Sequence, residues 1–252
     1  MLGQSLRVVV VDDTLLFRKI LSDALKSISG VEVVGTAANG KFALDRIHKL
    51  NPDLITLDFE MPEMDGLETL RQMKAQSLTP QVIMVSSSTQ AGVQVTLDAL
   101  ALGAFDFITK PQSSGIAQNV ADLKTDLEAK LAPLLRTSSL PRTPTAVAPT
   151  RPPVAASPKP IIRTGPVQIV TVGISTGGPN ALAEMIPSLP GTLRVPVVLV
   201  QHMPALFTAA LAETLDKKSS VTVVEAQDDQ VINPGTVYIA PGGHQMKLVK
   251  EG

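Results

Sequence analysis

No cysteine occurs in the 252 residues, which removes disulfides, thiolate metal sites and cysteine nucleophiles together. Tryptophan is also absent, tyrosine occurs once, and aromatics make up 3% of the chain. Any core must therefore be aliphatic, as the cores of parallel sheets usually are. No apolar run approaches the length of a membrane span, and Met1-Leu-Gly-Gln-Ser-Leu-Arg7 lacks the apolar centre of a signal peptide. A cytoplasmic protein without membrane insertion is expected. Neither sign of charge dominates: 22 Lys+Arg stand against 23 Asp+Glu, so bulk charge points to no nucleic acid or membrane partner. The 44% hydrophobic and 18% charged residues are ordinary for a globular protein, and the length suggests one or two domains.

What is present is a rhythm. Leu6-Arg-Val-Val-Val-Val11 is a buried-strand run, and Phe17, Ile20, Leu21, Leu25 and Ile28 follow at helical spacing. Further strands are expected over 31–36, 53–57, 81–85 and 104–108, with helices over 41–50, 67–75, 93–102 and 116–131. Five β–α units imply a parallel sheet covered by helices on both faces, with its site at the carboxyl ends of the strands. Those ends carry Asp12 and Asp13, then Asp58, Ser86 and Lys110. Taken singly, each acid reads as a helix cap or turn residue. Together, three carboxylates on one edge would repel unless a cation sat between them, and hard oxygen ligands suit Mg²⁺. Asp58 could then act as a carboxylate nucleophile toward phosphate, with Lys110 neutralising a phosphate oxygen. A haloacid-dehalogenase phosphatase would need Asp-x-Asp where this chain has Asp12-Asp13-Thr14.

Val11-Asp12-Asp13, Leu57-Asp58-Phe-Glu-Met-Pro62-Glu-Met-Asp-Gly66, Val85-Ser86-Ser and Lys110-Pro111 resemble the receiver domain of two-component response regulators. The resemblance implies a flavodoxin-like α/β fold, phosphorylation of Asp58 by a histidine kinase, and Mg²⁺ held by Asp12, Asp13, Asp58 and the backbone carbonyl of Glu60. It further implies that Ser86 contacts the phosphoryl group and that Phe107 occupies an aromatic switch position.

Eight of the 20 prolines fall between Pro141 and Pro166, among Thr, Ala and Ser with no apolar period. The stretch 132–166 therefore reads as an extended linker. Its scattered arginines and lysines lack the interleaved aromatics of a nucleic-acid tail. Neither a helix-turn-helix pattern nor a basic recognition helix follows it.

Beyond the linker, a strand over 167–172 leads into Gly173-Ile-Ser175-Thr-Gly177 and a helix from Pro179. This fits G-x-S-x-G, in which a sharp turn pushes a serine hydroxyl into the open and following N–H groups face an oxyanion. A glycine-rich turn that caps a helix or binds phosphate has the same look. A strand over 195–200 ends at Gln201-His202-Met-Pro204, a helix spans 206–215, and strands are expected over 221–224, 236–239 and the start of a segment after His244. Were the first two of these strands parallel neighbours, Ser175 and His202 would share one crevice, the minimum for acyl transfer. A lone strand-end histidine also serves as a structural hydrogen-bonder. An α/β-hydrolase would place an acid between serine and histidine, which this order does not.

Gly173 to Leu182, Gln201 to Thr208 and Val237-Tyr-Ile-Ala-Pro-Gly-Gly243 resemble the catalytic domain of chemotaxis protein-glutamate methylesterases. The resemblance implies hydrolysis of glutamate methyl esters on methylated chemoreceptors, and deamidation of receptor glutamines in some members. It makes Ser175 the nucleophile, His202 the base, and the backbone at Thr176 part of the oxyanion site, with no cofactor for the ester chemistry. Two features depart from the family. Its Asp-Gly segment with the triad aspartate has no counterpart before Gly252, so the catalytic domain reads as truncated at its C-terminus, and this chain as inactive unless a further segment supplies the acid. Gln245 stands where the family commonly has histidine, and His244 reads as a turn residue.

The expected organisation is thus a receiver over 1–131, a linker over 132–166, and the first part of a second doubly wound α/β domain, the methylesterase, over 167–252. The unphosphorylated receiver is expected to dock over the Ser175 crevice. The alternative is a non-catalytic response regulator whose output domain only binds receptor or kinase.

Overall fold

The computed structural model describes residues 5–87, 89–111, 115–138 and 165–250; most of the expected linker lies outside them. Strands β1 (Leu6–Val11), β2 (Val31–Ala37), β3 (Leu54–Asp58), β4 (Gln81–Ser86) and β5 (Asp106–Thr109) form an all-parallel sheet in the order β2-β1-β3-β4-β5. This is the flavodoxin-like order. The continuous Val8–Val11 and Leu54–Leu57 runs are buried because helices cover both faces of the central strands. On one face α1 (Leu15–Lys26) and α5 (Ile116–Ser138) set Leu21, Leu25, Leu123, Leu127 and Leu131 against Val8, Val10 and Ile83. On the other lie α2 (Gly40–Leu50), α3 (Gly66–Ala75) and α4 (Gln90–Leu102), started by side-chain caps from Asn39, Asp65 and Thr89.

Helix α5 runs on to Ser138, past the expected boundary at 131 and through Pro133. Leu134 and Leu135 pack on the core of that face, and their burial outweighs the backbone hydrogen bond that proline removes.

The second sheet is also all parallel, in the order β6-β7-β9-β8, from β6 (Val170–Ile174), β7 (Val197–Gln201), β8 (Thr222–Glu225) and β9 (Thr236–Ile239). Helices α6 (Gly178–Met185) and α7 (Ala205–Asp216) lie on one face, where Leu182, Phe207, Leu211 and Leu215 meet Val197, Leu199, Val237 and Ile239. The opposite face carries Thr171 and Val200 in the open, lining a shallow cleft completed by Met246 and Leu248. The strand expected after His244 does not form: residues 244–250 run without ladder pairing among the described residues.

The two sheets share a junction. Helix α4 packs on α6 and α7, and one apolar cluster runs from Val93, Leu97 and Phe107 into Phe207 and Leu211. Phe107 and Phe207 stack with ring centroids 4.3 Å apart and planes 24° apart, a geometry that adds attraction beyond area burial.

Candidate functional site

At the carboxyl edge of the first sheet, carboxylate oxygens of Asp12, Asp13 and Asp58 lie within 4.8 Å of one another. Asp12 and Asp58 are buried and Asp13 is exposed. Lys110 Nζ reaches Asp58 Oδ2 at 2.8 Å and Asp12 Oδ2 at 3.0 Å. The second contact is an ion pair, and Asp12 Oδ2 is buried with no well-aligned hydrogen-bond partner. The other oxygens are used: Asp12 Oδ1 accepts from Thr14 N–H at 2.8 Å, and Asp58 Oδ1 from Phe59 N–H at 2.8 Å. Arg18 Nη1 fixes the loop by donating to the carbonyls of Asp12 (2.6 Å) and Asp13 (2.9 Å).

Burial raises the Asp58 carboxyl to about 7, and Asp12 pushes the same way against the opposing pull of Lys110. Burial by itself would lower the Lys110 ammonium, yet the charges of Asp58 and Asp12 hold it above its ordinary value. One lysine does not neutralise three carboxylates. An orphaned buried oxygen among crowded hard ligands fits a divalent cation. Glu60 lies two residues after Asp58 on the loop following β3.

Ser86 is buried but turned into the start of α4. Its hydroxyl lies 3.2 Å from both Gly92 O and Ser87 O, and it accepts from Thr96 Oγ1 at 2.7 Å. No hydrogen bond joins it to Asp58.

At the second sheet, β6 and β7 are parallel neighbours in the register Ile174↔Gln201, and His202 N–H donates to Ile174 O at 3.2 Å. Ser175 and His202 thus leave adjacent strands at the same edge, and both are exposed. No hydrogen bond joins their side chains, and no carboxylate among the described residues bonds His202. Asp216 is engaged elsewhere, accepting from Val223 N–H at 2.8 Å. The Ser175 turn closes through Gly178 N–H to Ser175 O at 2.8 Å. A Cβ on Gly178 would overlap the side-chain amide of Gln201, which would have to move aside. Gly242, in the Pro241–Gly243 turn, is as tightly held: a Cβ would collide with the Met203–Ala205 backbone just after His202. His244 is exposed beyond that turn.

The docked receiver grips this turn from its side and does not cover it. Asp106, buried at the start of β5, accepts from Gly177 N–H at 3.0 Å, and Asn180 Nδ2 donates to Ala104 O at 2.6 Å. The expectation of a receiver sitting over the serine is corrected accordingly: the contacts fall on Gly177 and Asn180, and Ser175 stays open. Asp106 is itself anchored by Lys130 Nζ at 2.8 Å, which also lies 5.4 Å from the Phe107 ring centroid.

Sequence reasoning missed Asp106 and Gln201. The first had a signal, an acid inside the apolar run Ala104-Phe-Asp-Phe-Ile108. The second had none beyond its place before His202.

Comparison with known proteins agrees with both halves. The family models described as response regulator receiver domain and CheB methylesterase match residues 8–120 and 170–251. A protein-glutamate methylesterase/protein-glutamine glutaminase of Desulfotalea psychrophila is 48% identical over 253 residues, covering 97% of this chain and 70% of that protein. Its counterpart in Bacillus subtilis is 45% identical over 249 residues, covering 97% and 69%. The crystal structure of the Thermotoga maritima CheB methylesterase catalytic domain matches with 49% identity over 33% of this chain and 44% of that one, at a TM-score of 0.33. With a receiver sheet, a serine–histidine sheet and near full-length identity at this level, the chain belongs to the protein-glutamate methylesterase/protein-glutamine glutaminase family.

Proposed function

We propose that this chain carries the nucleophile and base of an enzyme that hydrolyses glutamate methyl esters of chemoreceptors under the control of phosphate on Asp58. The observation that carries the reading is the parallel register Ile174↔Gln201, which sets Ser175 beside His202 at one strand edge. Ser175 Oγ attacks the ester carbonyl while His202 takes its proton. The N–H of Thr176, at the start of the turn into α6, faces the developing oxyanion. His202 returns the proton to the departing methoxide, so methanol leaves. Water, deprotonated by His202, then splits the acyl-serine to free the glutamate carboxylate and restore the serine. A glutamine side chain would follow the same route and release ammonia.

In the receiver, Asp58 takes a phosphoryl group from a histidine kinase, and Asp12, Asp13, Asp58 and the Glu60 carbonyl would hold Mg²⁺. When bound, the ion offsets the negative charge that gathers as phosphate approaches. Lys110 moves from its carboxylate partners to the new phosphoryl oxygens, and Ser86 swings out of its α4 contacts toward them. Lys110 directly follows β5, which carries Asp106 and Phe107, so its shift is transmitted to the contacts with Gly177 and Phe207.

Methanol release from methylated receptor tests both parts. Ser175→Ala should abolish it, and activity equal to wild type would sink the serine mechanism. Asp58→Ala should hold the rate at the unphosphorylated level; a rate matching the fully phosphorylated enzyme would sink the control.

A further inference from the structure

We infer that Gln201 is the positioning residue of the serine site, tying the nucleophile's strand to the base's strand; this rests on the reading of Ser175 and His202 above. Gln201 ends β7 and is 5% exposed. Its Nε2 donates to Ser175 O at 3.1 Å and to His202 O at 3.2 Å. An amide NH₂ has two hydrogens, and here each goes to the backbone of one reacting residue. Because both partners are carbonyls, the amide has only one chemically sensible orientation. The β6–β7 ladder parts just beyond Ile174 and Gln201; the bond to Ser175 O crosses that gap, and the bond to His202 O pins the amide to the base's own segment.

The surroundings are shaped around this amide. Ser175 O accepts from the turn's own Gly178 N–H and from Gln201, filling both lone pairs. The amide lies against Gly178, where a side chain would strike it. Gln201 Oε1 is buried with no partner. A methionine of similar length would avoid that desolvation cost, so burial alone does not account for an amide here. The two donors do. Nothing links the Ser175 and His202 side chains directly, so their separation depends on the backbone that Gln201 holds.

The test is steady-state methanol release by the full chain bearing Gln201→Met, which keeps length and loses both donors, and Gln201→Glu, which keeps shape and offers only acceptors. Both should lower kcat about 10- to 100-fold, the scale of a misplacement of about 1 Å, with KM for the receptor unchanged. In a His202→Ala background, Gln201→Met should cause no further loss, because the separation it sets has lost its purpose. Gly178→Ala, which displaces the amide, should reproduce the kcat signature. Wild-type kcat in Gln201→Met overturns the proposal. Failure of all three variants to fold also overturns it, by assigning Gln201 to structure alone. Should Ser175→Ala itself retain activity, the serine reading fails instead, and the two failures are told apart.

Discussion

Replacing Asp58 by Asn removes a charge that the fold holds at a cost, and the size of that cost follows from the site. Asp58 is 2% exposed, and burial with Asp12 nearby keeps its carboxyl at about 7, against 3.8 for a free side chain. At about 1.4 kcal/mol for each tenfold change in proton affinity, the gap corresponds to about 4 kcal/mol, an upper figure because Asp12 and Lys110 share the titration. The sign is set by which state holds the proton. At low pH both states are protonated and nothing is lost. As pH rises between 3.8 and about 7 the unfolded carboxylate ionises while the native one stays neutral, so unfolding releases a proton and stability falls. Above about 7 the loss is complete. Asp58→Asn, free of this titration, should gain on wild type through that window and hold a lead of about 1–4 kcal/mol at about pH 8 in EDTA. Urea unfolding by far-UV circular dichroism measures it. The single tyrosine, Tyr238, is buried in β9, so its fluorescence follows the second sheet alone and isolates the receiver's transition. Saturating Mg²⁺ should erase the lead by stabilising only the wild-type carboxylates. A difference between the two proteins that stays constant with pH would refute the reasoning.

The same proton should compete with the cation. Mg²⁺ affinity measured by calorimetry should fall about fivefold from about pH 7 to about pH 6, and a flat profile would separate Asp58 from the ligand set. Asp106→Asn keeps the shape of the acceptor for Gly177 but withdraws the charge that Lys130 and the α6 N-terminus face. Exchange of the Gly177 amide should then quicken several-fold in the unphosphorylated protein, and unchanged protection would show that the junction does not depend on this carboxylate. Gly242→Ala puts a methyl group into the Met203–Ala205 backbone and should cost about 1–3 kcal/mol in Tyr238-monitored unfolding; a neutral result would mean that the turn after β9 yields freely.

How far the sequence carried the reading depends on whether a residue's role is local or crosses the chain. The acids at 12, 13 and 58 and the lysine at 110 were legible because, in a parallel sheet, every strand ends at one edge and a one-dimensional pattern projects onto a site. Ser175 and His202 were legible for the same reason, and the register Ile174↔Gln201 bears that projection out. The end of α5 was not, since Pro133 reads as a stop while the burial that overrides it lies on distant α1 and β-strand surfaces. Nor was the Asp106–Gly177 bond, whose partners are 71 residues apart on different sheets.

That missed contact changes how control over the serine must work. A receiver that merely covered the site would bury Ser175, yet Ser175 and His202 both remain exposed with the domains docked. What the receiver takes is the N–H of Gly177, two residues past Ser175, while Gln201 holds the carbonyl of Ser175 from within the second sheet. The turn is therefore held from two sides, one of which belongs to the switching domain. Asp106 and Phe107 are consecutive on β5, so a rearrangement around Lys110 that unstacks Phe107 from Phe207 also pulls on Asp106. Release returns the Gly177 amide to the turn and leaves Gln201 as the sole side chain fixing it. On the proposed reading, control by phosphate and precision of the serine–histidine pair meet on one four-residue segment, Ser175 to Gly178.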